Sequence, residues 1–170
     1  MIPFVDLRKQ HDTLSKDLNL AMLDVIETSS FIRGPALDKF EKDFASLLGA
    51  PFVRGVGSGT DALLLAIRAL GIGPGDDVIT VANTWISAAF AASHVGANIV
   101  LVDINPATYQ IDPSCLEAAI TPKTKAVIPV HMYGHPAPMK DILAICRPLG
   151  IKIIEDVAHA PMAKIDNQSV

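Results

Sequence analysis

Three short stretches carry residues whose types and spacing could do chemistry. The first, Arg54 to Asp61, reads RGVGSGTD and runs directly into ALLLAIRAL, so a glycine-rich turn delivers the chain to the start of an apolar helix. Gly57 and Gly59 allow close backbone approach. The free N–H groups and the dipole of a first helical turn favour a phosphate, to which Thr60 can add a hydroxyl. The same residues also suit an ordinary helix start, with Ser58 or Thr60 as cap and Asp61 answering the dipole. The glycine spacing is not the dinucleotide fingerprint and no Walker lysine follows Gly59, which argues against NAD and ATP.

The second stretch is Ala82 to Trp85, ANTW, with the only tryptophan of the chain. Trp85 can serve as a core residue or as a flat face for an aromatic cofactor, a contact worth roughly 0.5–1.5 kcal/mol beyond area burial. The third is Ile151 to Ala160, IKIIEDVAHA, an apolar run ending in Glu155, Asp156 and His159. A carboxylate at the end of a buried parallel strand is a site candidate. Facing a heterocyclic nitrogen, Asp156 would keep that nitrogen protonated, and a protonated pyridine is a strong electron sink. His159 could hydrogen-bond a ring substituent or orient the acid. The alternatives are a loop-capping acid beside a half-buried histidine, or a cation held by Asp156 and His159 with His131 or His135. The spacing of the last set matches no dedicated ligand motif.

Positioning these groups falls to an alternation of helices and strands. Lys9 to Thr28 sets Leu14, Leu18, Ala21, Met22, Val25 and Ile26 on one helical face, which would cover the domain or a partner subunit. Pro35 opens a second helix that Gly49 stops. There follow a strand at Phe52 to Val56, a helix at Thr60 to Leu70, a strand at Asp77 to Val81, a helix at Thr84 to Ser93 and a strand at Asn98 to Val102. Then come a short helix at Ser114 to Ala119, a strand at Ala126 to Val130, a helix at Met139 to Leu149 and a strand at Ile151 to Glu155. Such alternation predicts an α/β fold, a mostly parallel sheet with helices on both faces. Pro161 to Val170 offers no convincing element, so the sheet is expected to be incomplete at the C-terminus.

Composition narrows the function classes. The 170 residues are half hydrophobic, enough for one sizeable core, and the 14 basic and 18 acidic residues leave a net charge of -4 with no Lys/Arg cluster. This argues against nucleic acid and anionic membranes as partners and favours a small molecule. Cys115 and Cys146 have no metal-ligand or C-x-x-C spacing and read as buried thiols of a reducing, cytoplasmic protein. The N-terminus lacks a signal-peptide core, and the apolar run at Ile79 to Val102 is interrupted by polar residues, so no membrane span is expected.

Taken in order, GSGTDALLLAI, GPGDDVITVANTW, VDINPATYQIDP, AAITPKTKAVIPVHMYG and IIEDVAHA resemble the DegT/StrS family of pyridoxal-phosphate-dependent aminotransferases that act on nucleotide-linked keto sugars. The resemblance runs from IPFVDL at Ile2 to about Ala163 and implies the large domain of fold-type I transferases. It implies that Gly59 and Thr60 bind the phosphate of pyridoxal 5'-phosphate (or pyridoxamine phosphate), that Trp85 stacks on the pyridine ring, that Asp156 pairs with the ring nitrogen and that His159, where many members have Gln, sits near the ring hydroxyl. Tyr133 and Gly134, in VHMYG, and Phe31 to Pro35, FIRGP, match family segments near the site, with structural packing an equal reading for both.

By the same resemblance, residues 1–34 form an N-terminal arm and helix and 35–170 part of the cofactor-binding large domain, without the small C-terminal domain. The family's Schiff-base lysine lies in an S-F-x-x-x-K-N segment, and none of the nine lysines here has that context, so no catalytic residue is assigned. The expectation is the cofactor-binding portion of a sugar aminotransferase, inactive by itself and homodimeric when complete, with glutamate as the usual amino donor. A sugar dehydratase of the same family and a non-catalytic cofactor-binding or dimerisation module are the alternatives.

Overall fold

The computed structural model describes residues 3–170 and divides the chain into two compact units, one ending at Gly55 and the other running Val56–Val170. In the first, α1 (Leu7–Glu27) buries none of its residues, so the face with Leu14, Leu18, Met22 and Ile26 is exposed on this chain. α2 (Pro35–Leu48) begins with Pro35 in its first turn and ends at Gly49, whose φ of 66° is the left-handed stop that a glycine adopts without strain. Phe40 and Phe44, one turn apart, stack with ring centroids 5.4 Å apart.

The stretch Phe52 to Val56, expected as a strand, is irregular. A strand is held by a neighbour's ladder, but here the Gly55 N–H donates to the Glu41 carboxylate at 2.9 Å and Arg54 pairs with the same carboxylate at 2.8 Å. Side-chain bonding has taken the place of strand pairing.

The second unit holds the sheet. Its elements are α3 (Gly59–Ala69), β1 (Asp77–Val81), α4 (Ser87–His94), β2 (Asn98–Val102), α5 (Pro113–Ala119), β3 (Thr124–Val127), α6 (Met139–Cys146) and β4 (Lys152–Ile153). The strands run parallel in the order β2-β1-β3-β4. From β1 the chain moves outward to β2, then crosses back to β3 on the other side. That reversal places a topological switch point at the carboxyl ends of β1 and β3, where open α/β sheets form ligand crevices.

All five residues of β1 are buried, as expected of a strand covered on both faces. Alternation sends Val78, with Ala126 and Ile128, into a core with Leu63, Ile67, Ala88, Ala91 and Ala92 from α3 and α4. Ile79, Val81 and Val127 join Leu116, Ile142 and Cys146 from α5 and α6 on the other face. Each fully buried aliphatic side chain contributes about 1.5–3 kcal/mol. The buried Asp77 carboxylate is satisfied by Thr121 Oγ1 at 3.0 Å and Asn98 Nδ2 at 3.1 Å, which pin the amino end of the sheet. Burial pushes the Cys146 thiol up, as for an inert core thiol.

The last ten residues depart from expectation. They form a small antiparallel hairpin, β5 (Lys164–Ile165) with β6 (Gln168–Ser169), joined by Asp166 and Asn167 at φ 49° and 65°. Two consecutive left-handed residues make the tight turn whose twist matches that of the flanking strands, and Asp and Asn tolerate it best after Gly. Among the described residues no helix is long and apolar enough to cross a membrane.

Candidate functional site

At the switch point lies a cleft of about 350 Å3, within the range of small-molecule sites. It is lined from the cap and first turns of α3 by Ser58, Gly59, Thr60 and Leu63, from the segment after β1 and the start of α4 by Thr84, Trp85 and Ser87, and from the segments after β3 and β4 by Val130, Asp156, Ala158 and His159. Gly59, Thr60, Trp85, Asp156 and His159, singled out from sequence, therefore share one cavity.

The start of α3 is arranged as follows. Ser58 caps it, its Oγ accepting from Asp61 N–H at 3.1 Å and donating to Asp61 Oδ2 at 3.0 Å, while Ser58 O accepts from Ala62 N–H. No backbone acceptor among the described residues takes the N–H groups of Gly59 and Thr60. The capping alternative is thus realised by Ser58 and Asp61, and two orphan donors remain for an anion. A Cβ on Gly59 would meet nothing within 4 Å beyond its own helix and chain neighbours, whereas one on Gly57 would come 2.8 Å from Asp61 Oδ2. Thr60 Oγ1 lies 2.8 Å from Ser87 Oγ.

Trp85 is 75% exposed, so it is no core residue. Asp156 sits just beyond β4 in a backbone bridge with Val130: its N–H donates to Pro129 O at 2.9 Å and its O accepts from His131 N–H at 3.0 Å. Its Oδ1 accepts from Ala158 N–H at 3.1 Å. This short turn, not helix or strand, carries the acid and brings the exposed His159 to the same cleft.

The cation arrangement raised from the sequence does not form. His131 is wholly buried with its Nδ1 accepting from Ala137 N–H at 2.9 Å, and its Nε2 stands 3.3 Å from Glu155 Oε2 without the alignment of a hydrogen bond. Among the described residues no group of three or more His, Cys, Asp or Glu is placed to hold a metal ion. Sequence reasoning also passed over Ser87 and Thr84. The signal available was their place on either side of Trp85, between β1 and the first turn of α4.

The donor set fits a phosphorylated aromatic ring. Two free N–H groups and a hydroxyl stand at a helix start, and a flat indole, a carboxylate and an imidazole line the same cavity. A four-stranded parallel sheet flanked by helices, with a cleft at its switch point, has the fold of the large domain of fold-type I, pyridoxal-phosphate-dependent transferases. The family model for the DegT/DnrJ/EryC1/StrS aminotransferase family matches residues 12–170, and the chain belongs to that family.

The chain is 45% identical over 160 residues to the dTDP-3-amino-3,6-dideoxy-alpha-D-galactopyranose transaminase of Aneurinibacillus thermoaerophilus, covering 94% of this chain and 44% of that protein. It is similar to a DegT DnrJ EryC1 StrS aminotransferase of Brucella abortus, with a TM-score of 0.96 at 35% identity, covering 99% of this chain and 47% of that one. It is also similar to NtdA of Bacillus subtilis, solved with bound cofactor PMP, with a TM-score of 0.91 at 36% identity over 98% of this chain and 38% of that one. The chain thus spans somewhat under half the length of the relatives it matches.

Proposed function

We propose that this chain is the cofactor-binding portion of an aminotransferase that moves an amino group onto a nucleotide-linked keto sugar. The observation that carries the reading is the convergence of Gly59, Thr60, Trp85, Asp156 and His159 on one cleft. Pyridoxal or pyridoxamine phosphate, when bound, supplies an electron sink for bond changes next to the substrate nitrogen. The chain's own residues do the holding. Gly59 N–H, Thr60 N–H and the Thr60 hydroxyl receive the phosphate, the Trp85 indole covers one ring face, and Asp156 keeps a proton on the ring nitrogen by opposite charge. His159 donates to or accepts from a ring substituent.

The relatives' activities on nucleotide-linked sugars support the substrate class. Residues 1–34 as an N-terminal arm, assembly as a homodimer and glutamate as amino donor complete the proposal. Absorbance titration with pyridoxamine phosphate tests it: a saturable spectral change is expected from the native chain. Binding that is unaffected by Asp156→Asn and Thr60→Val together would remove the support for this site.

A further inference from the structure

Gln110 is 1% exposed, yet it carries a full amide. Both ends of that amide reach the backbone of Met132: Nε2 donates to Met132 O at 3.1 Å, and more distantly to Thr108 O at 3.4 Å, while Oε1 accepts from Met132 N–H at 3.2 Å. A side chain is acting as a strand would, clasping Met132 from both directions. Five residues on, Ala137 N–H donates to the buried His131 Nδ1, so the loop between is closed at both ends.

Inside this loop the backbone takes an unfavourable course. Tyr133 has φ 56° and ψ 31°, the left-handed region that a large side chain rarely enters, and Gly134 follows at φ 80°. Tyr133 is 70% exposed, so core packing does not demand the strain. What the conformation accomplishes is placement of the ring. Tyr133 meets the His159 imidazole edge-on, with centroids 6.4 Å apart at 64°, and meets Tyr109 at 6.1 Å and 85°. Tyr109 is left-handed too, at φ 61°, and its carbonyl accepts from Asn83 Nδ2 at 3.1 Å. Strain that nothing in the interior requires, held by buried hydrogen bonds next to a ligand cleft, is characteristic of pre-organised sites.

We infer that Gln110 is a positioning residue of the cleft: by clasping Met132 it sets Tyr133 in its left-handed conformation, and the Tyr133 ring in turn fixes the imidazole of His159. The inference rests on the reading of the cleft as a pyridine-cofactor site. His159 lies on an exposed turn, where its ring would otherwise sample several rotamers. Contact with the Tyr133 ring restricts its rotation, and Gln110 makes that restriction from beneath the surface.

Two readouts on the full chain test this. In the ligand-free protein, the His159 imidazole signals, assigned by their loss in His159→Ala, are expected to shift in the same direction in Gln110→Leu and Tyr133→Ala and to stay in place in Tyr133→Phe. Unmoved His159 signals in a folded Gln110→Leu chain overturn the inference. In titrations, Gln110→Leu is expected to weaken pyridoxamine phosphate binding roughly three- to tenfold, the scale of one lost aromatic edge contact, and to leave inorganic phosphate binding unchanged. In the His159→Ala background the same change should cost no further affinity, and additive losses contradict the link. Should Gln110→Leu fail to fold, Gln110→Glu keeps the acceptor for Met132 N–H and is expected to show the shift in reduced size, with no shift counting against it. A native chain that binds no pyridoxamine phosphate defeats the cofactor reading, while the His159 signals still decide the role of Gln110.

Discussion

Thr60 Oγ1 and Ser87 Oγ share a hydrogen bond of 2.8 Å across the cleft, tying the first turn of α3 to the first turn of α4. The two hydroxyls come from positions 27 apart, yet each opens a helix at the same crevice. One O–H of the pair is used in this bond, and the other is left to donate to a bound phosphate, whose oxygens accept. Thr60→Val is therefore expected to weaken pyridoxamine phosphate binding about three- to tenfold, as for the loss of one hydrogen bond, with little change in stability. Isothermal titration against the native chain checks this, and Ser87→Ala should act in the same direction.

On the proposed reading, Asp156 serves recognition of the ring and not of the phosphate. Asparagine in its place can still accept from Ala158 N–H, so Asp156→Asn should fold, but it no longer favours a protonated ring nitrogen. Pyridoxamine phosphate should bind roughly tenfold or more weakly, on the scale of an opposite charge that shifts a pKa by about one to three units. Inorganic phosphate, which has no ring, should bind as to the native chain. Equal losses for both ligands would place the acid elsewhere.

Core packing gives a prediction independent of any ligand. Leu116 is fully buried on α5 against the face of the sheet that also holds Ile79 and Val127. Leu116→Ala should destabilise the chain by about 2–5 kcal/mol, since the cavity adds to the lost transfer energy. Urea unfolding followed by circular dichroism measures it.

The first unit has an acid-sensitive fastening. The Gly55 N–H beside Glu41 holds its carboxyl below the usual carboxylate value, with the Arg54 guanidinium adding to the effect against partial desolvation. A carboxyl whose folded value is depressed stabilises above its unfolded value and loses that contribution as pH falls through the folded value. The native chain should therefore exceed Glu41→Gln in melting temperature near neutral pH, and the gap should close as pH drops below about 4.5. A gap unchanged in acid would show that Glu41 acts through packing.

Much of this architecture is legible in the residues. β1 and β2 lie where the apolar runs Asp77 to Val81 and Asn98 to Val102 place them, because both are bounded by glycine turns and lack helical periodicity. The helices start at Pro35 and Pro113 and next to Ser58, all of which are local start signals. Phe52 to Val56 misled because an apolar run carries no information about the Glu41 carboxylate that competes for its backbone from 14 positions away. The Asp166–Asn167 hairpin was missed because its strands are only two residues long, too short for alternation to register. At the site, residue types picked out side chains that share one cleft. They could not reveal that His131 turns into the core, or that Gln110 reaches 22 positions along the chain to hold Met132.

The central claim, that the cleft holds a phosphorylated pyridine against Trp85, has a direct reporter in the protein. Trp85 is the only tryptophan, so its fluorescence is free of other indoles. Adding pyridoxamine phosphate should quench it saturably, Asp156→Asn should move the midpoint to higher concentration, and excess inorganic phosphate should reverse the quenching. Emission that stays unchanged through the titration, or quenching that inorganic phosphate does not relieve and Asp156→Asn does not shift, would contradict the account.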